Sequence, residues 1–189
     1  MKHRTEEYFS IDIEADGKIP GASSMLSFGC QAYSFDGEPI GTFYRNLELL
    51  EGAVPDPETT EFWKKNQRAY DLTRTDLAKP EVAMADFVSW VDGISQRSIF
   101  VAYPCAYDFM WIYWYMIRFV GRSPFSHSAL DIKTLAMIAM GSNYRDSTKR
   151  NMPKSWFPTD KGHTHHGLDD AQEQGELFFN IRKSLRCRA

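Results

Sequence analysis

Three observations predict an α/β fold built on a mixed sheet. An alternating apolar segment opens the chain, a turn pair joins two further strand-like runs, and short strands then alternate with helices. With 189 residues, 43% of them hydrophobic, the chain suffices for one domain over 1–189 with an ample core.

In Tyr8-Phe9-Ser10-Ile11-Asp12-Ile13-Glu14, the apolar residues Phe9, Ile11 and Ile13 alternate with the others, which marks a strand with one buried face. Runs at 25–35 and 39–46 flank Asp36-Gly37, a pair that favours a hairpin, so the sheet begins antiparallel. Pro55-Asp56-Pro57 precedes a helix through Gln67, and Lys79-Pro80-Glu81 precedes another through Phe87, Trp90 and Val91. Residues 98–102 read as a short buried strand, with a helix following from about Ala106. Residues 129–132 read as a last short strand leading into a helix over 133–140, and a final helix starts at Asp170 and carries Leu177, Phe178 and Ile181. This order implies antiparallel strands followed by parallel ones, flanked by helices, with ligand chemistry at the strand ends. The stripe Trp111, Trp114, Tyr115 and Arg118 has helical spacing and reads as packing or as a dimer surface.

Composition narrows the function classes. A formal charge of −3 argues against a generally basic nucleic-acid coat, so binding a polyanion calls for metal or a local basic patch. Cys30, Cys105 and Cys187 are odd in number and widely spaced, which suggests neither a disulfide framework nor a structural zinc site and fits a reducing, cytoplasmic setting. Residues 1–7 contain no apolar signal segment. The longest apolar run, 109–120, would be about 18 Å long as a helix, too short for a hydrocarbon core of about 30 Å, so no membrane span is expected. The chain shows no internal repeat or dividing linker.

Four carboxylates and a histidine carry the chemistry. Asp12 and Glu14 share the non-apolar face of the first strand, where they repel each other and gain nothing by packing, an arrangement that suits a hard divalent ion. Taken alone, they also fit solvated residues of an edge strand. Asp108 stands just past the strand 98–102 in the first turn of a helix, where an acid also complements the helix dipole. In His163-Thr164-His165-His166-Gly167-Leu168-Asp169-Asp170, a histidine precedes the helix-starting Asp170 by five positions, so a loop imidazole and a helical carboxylate can meet over one site. The dipole accounts for part of this charge, since Asp169, Asp170, Glu173 and Glu176 open the helix and Arg182, Lys183, Arg186 and Arg188 close it. It does not account for three clustered histidines, for which a transition-metal site formed by His163, His165 and His166 is the alternative.

Ile11-Asp12-Ile13-Glu14, Asp108 before Phe109, and His165-His166-Gly167-Leu168-Asp169-Asp170-Ala171 resemble the three motifs of the DEDDh exonucleases. Leu130-Asp131-Ile132-Lys133-Thr134-Leu135 is similar to that family's Asp-Thr-Leu segment, and Trp63 with Gln67 looks most like a subgroup of small bacterial 3′-5′ exoribonucleases. The resemblance implies a ribonuclease H-like fold, with Asp12, Glu14, Asp108 and Asp170 as ligands to two magnesium or manganese ions and His165 as general base. Two ions about 3.5–4 Å apart would lower the pKa of the attacking water and stabilise the leaving 3′ oxygen. An imidazole with an ordinary pKa near 6.5 can take the water's proton at neutral pH. Two departures stand out: Gly167 replaces the usual alanine and is expected to loosen the loop, and Tyr103-Pro104-Cys105 replaces a polar pair before Asp108, which bears on substrate preference.

Substrate contacts are expected from Trp63 and Tyr107, with Tyr103 and Trp156 as further aromatics able to stack on bases. The basic segment 141–164 adds Lys149, Arg150 and Lys154 as phosphate guides, although a solvated loop fits it equally on charge. The expected activity is removal of nucleoside 5′-monophosphates from the 3′ end of single-stranded nucleic acid, RNA ahead of DNA, and a homodimer is a family-based expectation. A DNA exonuclease of repair or proofreading, and a nucleic-acid-binding module without turnover, are the alternatives.

Overall fold

The first strand, β1 (Glu7–Ala15), is paired along both edges and so runs through the middle of the sheet. In the computed structural model, which describes residues 6–157 and 165–186, the sheet has six strands in the order β4-β3-β2-β1-β5-β6. β2 (Met25–Tyr33) and β3 (Pro39–Leu47) form an antiparallel hairpin, and β2 pairs antiparallel with β1. β5 (Ser98–Ala102) and β6 (Leu130–Asp131) then add in parallel on the far side of β1. The hairpin strand β2 stops two residues earlier than expected because Ser34 N–H donates to the Glu38 carbonyl at 2.9 Å and starts the turn.

Two differences arise from short-range geometry. The expected helix through Gln67 is two helices, α1 (Pro57–Lys65) and α2 (Gln67–Leu72), because Asn66 leaves the helical region (φ −118°, ψ 39°). β4 (Leu77–Ala78) pairs with the end of β3 and is too short to show a period. The remaining helices are α3 (Pro80–Ile94), α4 (Cys105–Val120), α5 (Ile132–Met140) and α6 (Gly167–Arg186).

The period of β1 divides the core in two. Phe9, Ile11 and Ile13 point into a cluster with Phe87 and Val91 of α3 and Trp111 and Tyr115 of α4. Tyr8 on the opposite face joins Ile132 and Ala136 of α5 and Leu177, Phe178 and Ile181 of α6. Of the stripe, Trp111 and Tyr115 are fully buried in this packing, Trp114 is half-buried and Arg118 is exposed. No described helix is long and apolar enough to cross a membrane.

Candidate active site

Asp12 and Glu14 reach the cleft from the C-terminal half of β1, on the face covered by α6. Asp108 enters from the first turn of α4, where its Oδ1 accepts a hydrogen bond from Ile13 N–H at 3.2 Å. Asp170 enters from the first turns of α6 and is only 2% exposed, whereas the neighbouring Asp169 is exposed and lies 3.5 Å from His166 Nδ1. Asp170, not Asp169, is thus the buried carboxylate that approaches Glu14 and His165.

His165 precedes α6 with its backbone in the left-handed region (φ 54°), which histidine tolerates better than most residues. Its Nδ1 lies 4.0 Å from Glu14 Oε1, and Phe62 packs edge-on against the ring at 5.1 Å between centroids. His166 turns elsewhere and stacks on Tyr44 at 4.5 Å. His163 lies outside the described residues, so the three-histidine alternative has only these two rings to judge from, and they diverge.

The loop is seated by backbone contact. A Cβ on Gly29 of β2 would come within 2.2 Å of Leu168 N, and one on Gly167 within 3.0 Å of Gly29 N. The missing side chain at Gly167 lets the start of α6 lie directly on β2.

The electrostatics favour a cation. Burial first, and then the charges of Asp108, Glu14 and Asp170, raise the Asp12 carboxyl well above the usual range. Burial and then Asp170 and Asp108 push Glu14 up to about 8. Asp108 is also raised to about 8 by burial, against the opposing Ile13 N–H and the more distant Lys149. Two like charges about 4 Å apart repel by roughly 4 kcal/mol at an effective dielectric near 20, so these acids resist ionising together unless a cation joins them. One donor atom each from Glu14, His165 and Asp170 lies within 4.8 Å of the others, so Glu14 and Asp170 are close enough to share a divalent ion, with the imidazole beside it. Asp12, Glu14 and Asp108 line a cleft of about 860 Å³ that also includes His165 and Lys149.

Comparison with known proteins gives the family. The family model of the 3′-5′ exoribonuclease Rv2179c-like domain matches residues 7–181. The chain belongs to this family of 3′-5′ exonucleases. The 3′-5′ DNA exonuclease Cap18 of Escherichia coli is 30% identical over 195 residues, covering 97% of this chain and 95% of the relative. The nuclease domain of 3′hExo, a DEDDh family member solved with rAMP, superposes with a TM-score of 0.67 at 12% identity over 96% of this chain and 94% of that one. The Mg2+- and Mn2+-bound form of S. pombe Pop2p gives a TM-score of 0.64 at 15% identity over 93% and 82%. These distant likenesses establish the ribonuclease H-like fold. The exonuclease is an enzyme, which sets aside the reading as a binding module without turnover.

The expected substrate residues divide. Tyr107 lines the cleft, 40% exposed, with its hydroxyl donating to the Gly17 carbonyl at 2.8 Å. Lys149 also lines it and its Nζ pairs with Glu173 Oε1 at 2.9 Å. Trp63 is corrected: it is 4% exposed, and its indole N–H donates to the Ala15 carbonyl at 2.9 Å, so it braces the end of β1 and offers no face to a base. Trp156 is likewise buried. Arg150 and Lys154 are exposed and do not line the cleft; successive residues of a tight 3₁₀ turn point in different directions, so Lys149 turning inward sends Arg150 out.

Two further residues touch the expected site residues. Phe62 packs on His165, and Gln174 on α6 donates from Nε2 to Asp12 Oδ1 at 3.3 Å. Gln174 follows Asp170 by four positions, a helical spacing that would have signalled a shared face.

Proposed function

We propose that the chain is a metal-dependent exonuclease that hydrolyses single-stranded RNA from its 3′ end and releases nucleoside 5′-monophosphates. The observation that carries this reading is the approach of Glu14, His165 and Asp170 donor atoms to within 4.8 Å beside Asp12 and Asp108. In this reading Asp12, Glu14, Asp108 and Asp170 hold two magnesium or manganese ions. When bound, such ions supply charge neutralisation at the phosphodiester and a more acidic attacking water. His165 takes the water's proton, with Phe62 and the left-handed backbone restricting where its ring can point. Tyr107 and Lys149 hold the terminal nucleotide against the cleft wall.

A path for the rest of the strand is supported by a second cavity of about 760 Å³, which shares His165 with the cleft and is lined by Lys65, Arg68 and His166. Both volumes fall in the range of small-ligand pockets, about 300–1,000 Å³, which suits a strand taken a nucleotide or two at a time rather than a duplex. RNA is placed first because the matching family is described as exoribonuclease. DNA is the second reading, favoured by the name of the E. coli relative.

The test is digestion of matched 5′-labelled single-stranded RNA and DNA in magnesium and in manganese, with Asp12→Ala as control. Ladders that shorten from the 3′ end, nucleoside 5′-monophosphate products and an inert control are expected. Internal cuts would overturn the reading, and faster loss of DNA would replace RNA as the preferred substrate. The same preparation, measured by light scattering, tests the proposed homodimer.

A further inference from the structure

We infer that Gln174 is a positioning residue that holds the sheet open beneath the cleft and aims Asp12, an inference that rests on reading Asp12 as a metal-holding carboxylate. β1 and β5 are paired in parallel from Glu7 opposite Ser98 to Ser10 opposite Val101. β5 ends at Ala102, so the ladder lapses just where β1 begins to present its acids. The side-chain carboxamide of Gln174 fills the gap. Its Oε1 accepts from Tyr103 N–H at 2.7 Å, and its Nε2 donates to the Ile11 carbonyl at 3.0 Å and to Asp12 Oδ1 at 3.3 Å.

The side-chain amide thus stands in for the peptide unit that a continued ladder would have placed between the two strands. Its orientation is fixed by chemistry: a backbone N–H can only donate and a backbone carbonyl can only accept, so oxygen must face Tyr103 and nitrogen Ile11. That leaves the second N–H hydrogen for Asp12. At 1% exposure, Gln174 has no competing water to bond instead.

The consequence for Asp12 is geometric. One carboxylate oxygen is engaged from behind by a neutral donor, which fixes the plane of the carboxylate and hence the direction of its other oxygen. Because Gln174 lies one helical turn beyond Asp170, α6 delivers a carboxylate to the cleft and the brace for a second carboxylate from the same face. A shift of α6 would therefore move both together.

The experiment compares Gln174→Leu and Gln174→Glu with the unmodified protein and with Asp12→Asn. Leucine removes all three hydrogen bonds at similar size, and glutamate retains shape but cannot donate when ionised. Manganese binding is read by calorimetry, the manganese concentration for half-maximal hydrolysis by titration, and folding by circular dichroism. Manganese affinity is expected to fall about ten- to a hundredfold in both Gln174 variants, as for other outer-shell partners of metal ligands. The half-maximal concentration should rise in step, and saturating manganese should restore most of kcat in Gln174→Leu but not in Asp12→Asn. If the Gln174 variants lose only melting temperature and bind manganese normally beside an impaired Asp12→Asn, the inference is overturned and the residue is purely structural. Unchanged manganese binding and turnover in Asp12→Asn would instead overturn the reading of Asp12, and the inference with it. Should Gln174→Leu fail to fold, Gln174→Glu decides by the same measurements.

Discussion

Ile13 and Asp108 are joined across the cleft floor: the backbone N–H of a strand residue donates to a carboxylate 95 positions later in the chain. Asp108 therefore serves the fold as well as the site, and two substitutions separate these duties. Asp108→Asn keeps an oxygen for Ile13 and removes a buried acid whose ionisation the site disfavours, so without metal it should melt at or above the temperature of the parent while losing nearly all activity. Asp108→Ala also strands the Ile13 N–H and should cost about 1–3 kcal/mol in urea unfolding. Equal destabilisation by both would refute the dual role.

Metal-free protein should lose stability as pH rises through the neutral range. Glu14 and Asp108 both titrate near 8 when folded, against about 4 when unfolded. Between those values the folded state binds more protons, so stability falls with increasing pH. Below about pH 4 the penalty vanishes, and above about 8 it is complete. Manganese should flatten the profile and release protons on binding at pH 7, measurable by calorimetry in buffers of different ionisation enthalpy.

His165 and Asp170 should fail differently. Removing the imidazole, His165→Ala, should lower kcat by about 10²–10⁴ with little change in the manganese requirement. Asp170→Asn should raise that requirement strongly. Matching metal titration curves for the two variants would contradict the division of labour.

Gly29→Ala tests the backbone seat of the histidine loop. The added methyl would meet Leu168 N at 2.2 Å, a contact only a shift of α6 can relieve. Activity should fall by more than tenfold in a protein that still folds, with the sharpest loss at low manganese.

Charge reversal at Lys65 and Arg68 tests the second cavity. For a long strand, KM should rise and the dependence of binding on salt should flatten, since fewer counterions are displaced. The ratio of long-strand to dinucleotide kcat/KM should fall towards one. A ratio unaffected by these changes would place the strand elsewhere.

The sequence made β1 readable because Phe9, Ile11 and Ile13 alternate toward one packed face, and the same period put Asp12 and Glu14 together. Asp170 was legible through its offset from His165. Trp63 was not, because an aromatic near a motif reads the same whether its ring is free or, as here, holding the Ala15 carbonyl. Nor could the basic segment show which cation turns inward: Lys149 and Arg150 are adjacent, and only the 3₁₀ turn that contains them separates their directions. The offset of Gln174 from Asp170 marks a shared helix face, but its bonds to Tyr103 and Ile11 depend on a lapse in strand pairing that no local pattern shows.

The position of α6 also gives the site an order in time. During synthesis β1, with Asp12 and Glu14, is made early and Asp108 midway, while His165 and Asp170 emerge only after every strand of the sheet. A ribosome-bound chain lacking its last helix therefore presents an unfinished centre, without Asp170 or the Gln174 brace. Assembly of the centre therefore waits on α6, which can dock only after the strands it covers have been made.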